Sequence, residues 1–100
     1  MIRSNKLRLA ARDQDCTIRI VGVCNRDTTT TVLAHLPDPS HGIGLKAHDI
    51  AAVWACSACH DQLDGRVPAV EEFAERRDWY LRMALQRTLV RLVERGVIKL

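Results

Sequence analysis

Cysteine and histidine carry the chemistry of this 100-residue chain. Its four cysteines fall into two local pairs, Cys16 with Cys24 and Cys56 with Cys59. The second pair is a C-x-x-C, the spacing at which one tight turn brings two thiolates onto one ion. The first pair has seven residues between its members and matches no standard zinc knuckle. Two pairs from separate places can close a tetrahedron, the donor set of a structural zinc. Such an ion would tie residue 16 to residue 59 and staple a modest core. Three rivals stand beside zinc: two disulfides, free core cysteines, and covalent haem at Cys56-Ser-Ala-Cys59-His60, which matches C-x-x-C-H. Disulfides and haem attachment both call for an oxidising compartment. The N-terminus, MIRSNKLRLAARDQDC, has basic residues with no apolar stretch behind them, so no secretory signal is expected. Haem would also need a distal ligand such as Met83 and would leave Cys16 and Cys24 without a task.

The histidines are His35, His41, His48 and His60. Three of them flank or occupy one predicted loop, and the fourth abuts the C-x-x-C. Neutral imidazole, with a pKa near 6.5, can take a proton from water at cellular pH. His41 and His48 read as loop residues. Asp61 and Asp64 are carboxylates close to His60 in sequence, Asp49 lies between His35 and His60, and Lys46 and Arg66 are cations able to clamp phosphate. The net charge of +3 is mild but uneven. Residues 1–26 hold six basic groups, Arg8 and Arg12 among them, against Asp13 and Asp15. The remainder carries nine basic and ten acidic groups. That basic quarter is either a solvated arm or a face that attracts phosphate backbone without sequence preference.

The elements that must position these groups are short, except for the last. Residues 5–13 predict a short helix, with Leu7, Leu9 and Ala10 or Ala11 facing inward. Cys16–Cys24 reads as a small knuckle, punctuated by Gly22 and Asn25. Thr28–Thr31 is strand-favouring and leads into a strand, Val32-Leu33-Ala34-His35. Pro37, Pro39, Gly42 and Gly44 make 36–48 a loop. Ile50–Ala55 is a continuous apolar run and predicts a buried strand. Cys56–Gly65 predicts a turn and a short helix that Gly65 ends. From Val70 to Arg95, positions 70, 73, 74, 81, 84, 85, 88, 89, 92 and 93 form a helical stripe. Trp79 and Tyr80 are expected in that scaffold, Gly96 as its terminator, and Val97-Ile98 as a short strand. One domain over 1–100 follows from the length. No apolar run approaches the roughly 20 residues of a membrane span. A cytoplasmic chain of α+β class with a long C-terminal helix is the expectation.

A strand ending in His, a loop, a second strand, then a helix opening on Cys-x-x-Cys-His resembles the ββα-metal motif of HNH (His-Me finger) endonucleases. A closer likeness spans nearly the whole chain. It runs through Ala10-Ala11-Arg12, Arg19–Asn25, Leu33-Ala34-His35, Gly44-x-Lys46-x-x-Asp49, Ala55–Asp61 with Asp64 and Arg66, and Gly96–Lys99. These segments are similar to the YbcO-like prophage nucleases, which are related to the RecA-dependent nuclease Ref of phages. The resemblance implies a zinc-stabilised HNH-like fold acting on DNA in recombination, with a RecA-type recombinase filament as a partner. It implies His35 as general base, Asp49 at the position of an orienting Asn, and His60 as ligand of a catalytic Mg²⁺ or Mn²⁺. Zinc would sit on Cys16, Cys24, Cys56 and Cys59; Lys46, Arg66, Arg8 and Arg12 would contact DNA. Two positions depart from the HNH pattern: Ala34 replaces an Asp that often binds the catalytic metal, and Asp49 replaces the Asn. A second metal ligand is left to Asp49, Asp61 or Asp64. A non-catalytic zinc-stabilised DNA-binding or recombination-accessory module fits the same residues, and Ala34 is the feature in its favour.

Overall fold

Ser4 begins the first element by accepting the Leu7 amide on its hydroxyl, the N-cap exchange that starts a helix. In the computed structural model, which describes residues 2–37 and 48–100, helix α1 spans Asn5–Ala10. Leu7, Ala10 and Ala11 turn inward, whereas Leu9 is exposed, contrary to expectation. A six-residue helix has a single inward line, and positions 7, 10 and 11 occupy it.

Residues 16–20 alternate apolar and polar briefly but do not form a strand. Arg19 and Arg26 take left-handed backbone conformations, as does Gly22, and these fold the segment back on itself. Ile18 and Ile20 are driven into the core on either side of exposed Arg19. Thr28–Thr30 forms a 3-10 turn rather than strand, because the Asp27 carboxylate caps it by accepting the Thr29 amide and hydroxyl.

Strands β1 (Val32–His35) and β2 (Ala52–Ala55) pair antiparallel, with Val32 opposite Ala55 and His35 opposite Ala52. β2 is buried on both faces, which explains its unbroken apolar sequence. Val53 and Ala55 join a core with Ile18, Ile20, Phe73 and Tyr80. Trp54 packs on the other side with Leu7, Ala10, Ala11 and Leu92. Instead of a third strand, Thr17 hydrogen-bonds to β2 at Trp54. Its amide and hydroxyl reach the Trp54 carbonyl at 2.8 and 2.9 Å. The Thr88 hydroxyl closes this buried network at 2.9 Å from that of Thr17.

Helix α2 covers Ser57–Asp64 and ends at Gly65, whose φ of 72° is the left-handed conformation that glycine adopts at least cost. Arg66 and Gly65 amides close the last turn onto Asp61 and Gln62. The Gln62 side chain, donating to the Pro68 carbonyl and accepting the Val70 amide, fixes the link to the next helix. That helix, α3, spans Glu71–Glu94 and is interrupted at Arg76, where the backbone leaves helical geometry. Its buried line is Phe73, Tyr80, Ala84, Thr88 and Leu92. Position 88 of the predicted stripe is therefore buried, but its hydroxyl is in use. Trp79 lies one residue off this line and is half exposed, edge-on to Tyr80. Gly96 ends α3 as expected. Val97 and Ile98 form no strand; their amides turn back onto the Leu92 carbonyl and their side chains pack by Trp54. The result is an α+β chain with a two-stranded sheet and a long C-terminal helix. No helix among the described residues is long and apolar enough to cross a membrane.

Candidate metal centre and active site

The knuckle and the start of α2 deliver the four cysteines to one point. Cys16 and Cys24 come from the folded-back segment. Cys56 is the N-cap of α2, accepting the Cys59 amide on its sulfur at 3.4 Å. All four sulfurs lie within 4.8 Å of one another, and Cys24 and Cys56 are 3.9 Å apart. A tetrahedral zinc with Zn–S bonds of about 2.3 Å separates its sulfurs by about 3.8 Å. The cysteines are free thiols, and three of them are buried. The donor set, spacing and enclosure therefore fit one zinc ion, with all four cysteines as ligands.

The thiols are also electrostatically mismatched unless a cation joins them. Hydrogen bonding from Cys59 lowers Cys16 to about 5, against the opposing effect of burial. Sharing that bond, together with burial, pushes the Cys59 thiol far up. Burial raises Cys24 to about 11. One thiolate is thus favoured while Cys24 and Cys59 resist ionising, a resistance that a divalent cation among the sulfurs would offset.

The surroundings hold the knuckle in place. The Arg19 Nε donates to the Cys16 carbonyl at 3.0 Å, and the Val21 amide to the Tyr80 hydroxyl at 3.3 Å. Tyr80 in turn donates to Glu72. At the start of α2, the Ser57 amide donates to Thr30 and the Ser57 hydroxyl accepts from Asn25.

A second constellation forms where β1 ends. His35 Nε2 lies 2.8 Å from Asp49 Oδ1. Asp49 Oδ2 accepts the Ser4 amide at 2.6 Å and lies 3.2 Å from Arg8 Nε. Burial alone would raise this carboxyl, but His35, the Ser4 amide and Arg8 outweigh it and hold it down at about 2. Asp49 is thus an ionised acceptor above that pH. The proton in its bond to His35 must then sit on Nε2, which leaves the lone pair of a neutral His35 on Nδ1. The imidazole is held in one tautomer and remains partly open to solvent.

The third constellation lies on α2. His60 Nε2 is 2.9 Å from Asp64 Oδ2, one helical turn away. Asp64 also meets Arg66 at 3.0 Å, and Arg66 meets Asp61 at 3.2 Å. His60 follows Cys59 directly, so the same turn that carries two of the four sulfurs carries this histidine.

The expected site residues therefore sort into three groups. The cysteines meet as expected. His35 and Asp49 meet, fourteen residues apart in sequence. His60 pairs with Asp64. Two expected DNA contacts are already occupied: Arg8 by Asp49, and Arg66 by Asp61 and Asp64. Arg12 is exposed just beyond α1. Lys46 and His41 lie outside the described residues. Sequence reasoning missed Ser4 and the task of Arg8. Nothing local signals either, because both act across more than forty residues. His48, read as a loop residue, accepts the Ile2 amide on Nδ1 and helps seat the N-terminal segment. The His60/Asp64 pair was visible as an i, i+4 spacing.

These features define a small α+β protein with a four-cysteine centre able to hold a metal ion and a histidine–aspartate pair at a strand end. The chain belongs to the family described as "Putative nuclease YbcO", whose model matches residues 5–97. The protein of that name from Escherichia coli (strain K12) is 44% identical over 94 residues, 93% of this chain and 96% of its own. Its namesake from Enterobacteria phage 82 matches to the same extent. A solved structure titled "Structure of a putative bacteriophage protein from Escherichia coli str. K-12 substr. MG1655" superposes with a TM-score of 0.67 at 38% identity. It covers 91% of this chain and 100% of its own.

Proposed function

We propose that this protein is an HNH-type endonuclease that hydrolyses DNA phosphodiester bonds, its 100 residues acting as one domain. The observation that carries the reading is the Asp49–His35 pair. A buried, ionised carboxylate holds Nε2–H and leaves Nδ1 to accept a proton from an attacking water. The name that the Escherichia coli and phage 82 relatives share, "Putative nuclease YbcO", supports a nucleic-acid substrate. On this reading His60 and Asp64 hold a Mg²⁺ or Mn²⁺ ion. Such an ion, when bound, neutralises charge on the phosphate and on the leaving oxygen. Arg66 then orients Asp64 and is a less direct phosphate clamp than the sequence suggested. The four cysteines hold zinc for structure alone, and they set the turn from which His60 projects. Arg12 and Lys46 supply backbone affinity, and recombination beside a RecA-type filament is the setting.

The test is nicking of supercoiled plasmid by purified protein with Mg²⁺ or Mn²⁺, alone and with a recombinase filament. The expected result is cutting by the wild type, and none by His35→Ala at unchanged zinc content. Absence of cutting in every condition defeats the proposal.

One observation favours a second reading, a non-catalytic zinc-stabilised DNA-binding or recombination-accessory module. Ala34, 1% exposed, is core at the position where HNH enzymes often place a metal-binding Asp. Wild-type binding to DNA with neither cutting nor Mn²⁺ uptake by His60 would favour that module.

A further inference from the structure

Away from both histidine pairs, a cleft of about 340 Å³ opens between α3 and the segment entering the knuckle. Thr17, Trp54, Met83 and Val90 line its apolar part. Around it stand three guanidinium groups, Arg19, Arg87 and Arg91, against one carboxylate, Asp15. Arg19 and Arg87 each spend one N–H on a backbone carbonyl, of Cys16 and of Thr17, and keep others to donate. Trp54 is 1% exposed, and its indole Nε1 has no hydrogen-bond partner among the described residues. A buried N–H left without an acceptor costs stability, which a ligand acceptor can recover. One turn before Met83, half-exposed Trp79 continues the same side of α3.

From this cleft we infer that the protein holds one unstacked nucleotide of a single DNA strand there. The volume suits a base, and a base edge has a carbonyl or ring nitrogen to accept from the indole. The arginines suit the flanking phosphates, which carry the charge opposite to theirs. Trp79 gives the next base a surface to stack on. The site lies outside the proposed reaction centre and would set which DNA structure is engaged, a single strand over an intact duplex. The inference rests on the proposed DNA substrate.

Two-dimensional ¹H–¹⁵N spectra of the zinc-loaded full chain test it directly, because the chain has only two indole N–H signals, Trp54 and Trp79. Trp79→Phe assigns them. Oligo-deoxythymidine is expected to move the Trp54 signal, with a smaller effect from a hairpin duplex and none from thymidine monophosphate at equal nucleotide concentration. Arg91→Glu and Met83→Phe are expected to weaken binding of the strand about tenfold by anisotropy, with zinc content and helicity unchanged. A strand that binds without moving the Trp54 signal overturns the inference, as does failure of the strand to bind. Equal movement by the free mononucleotide also overturns it. Plasmid nicking measured alongside separates the two proposals. Nicking with an unmoved indole defeats the cleft alone, and a moved indole without nicking supports the cleft while defeating the nuclease.

Discussion

Asp49 divides its contacts between its two carboxylate oxygens. Oδ2 meets Ser4 and Arg8 and ties the N-terminal segment down, while Oδ1 fixes His35. The carboxyl is held at about 2 against an ordinary 3.8. A lowered folded-state pKa stabilises the fold above the unfolded value and is lost as pH falls from about 3.8 through about 2. At 1.36 kcal/mol per unit the contribution at neutral pH is about 2 kcal/mol. Asp49→Asn should therefore lose about 2 kcal/mol in urea melts at pH 7 and converge on the wild type near pH 2. Its amide oxygen still accepts from His35 Nε2–H, so nicking should survive in Asp49→Asn and vanish in Asp49→Ala. Equal activity losses in the two variants would show that orientation of His35 is not what Asp49 provides.

Among the elements, α2 is short, yet it carries two sulfurs and His60. It is pinned at both ends, by Cys56 and Thr30 at its start and by Gly65 at its close. A Cβ at residue 65 would meet nothing within 4 Å, so only the left-handed φ is at stake. Gly65→Ala should cost about 1 kcal/mol of stability by chemical denaturation. The closing turn also aligns Arg66 with Asp61 and Asp64, so the same variant should weaken Mn²⁺ uptake at His60, read by titration calorimetry. An unchanged melting curve would mean that the helix end is held by Gln62 instead. α3 works differently. It braces the knuckle from outside through Tyr80 and Arg87, and through Arg95 it caps the last turn of α1, donating to the Ala10 carbonyl at 2.8 Å.

Across the whole molecule, the two cores meet at β2 and the cysteine cluster lies within the first of them. A metal there would join the knuckle to the start of α2, directly after β2. Its removal would leave four thiols crowded inside a core that has lost a cross-link. Metal analysis should find one tightly held zinc per chain, absent in Cys56→Ser. Strong chelators should lower stability by several kcal/mol and abolish near-ultraviolet dichroism from Trp54 and Tyr80. Native protein free of zinc, or unaffected by its removal, would refute the cysteine assignment.

The sequence alone was enough for the parts whose signals are local. The C-x-x-C, the period of α3, the apolar run of β2 and the glycine stops at 65 and 96 each sit within a few residues of what they specify. The convergence of Cys16 and Cys24 on that motif was legible too, because few other tasks suit four cysteines in so small a chain. Local signals misled where tertiary demands were stronger. Thr28–Thr30 turns under an Asp27 cap despite its strand-favouring composition, and Val97-Ile98 covers Trp54 instead of forming a strand. Only the tertiary structure decided that Arg8 and Ser4 hold Asp49, and that a cleft with an unpaired indole opens beside α3. Those contacts join side chains distant in sequence, and their partners are selected by the packing of helices against β2. No spacing within the chain encodes that packing.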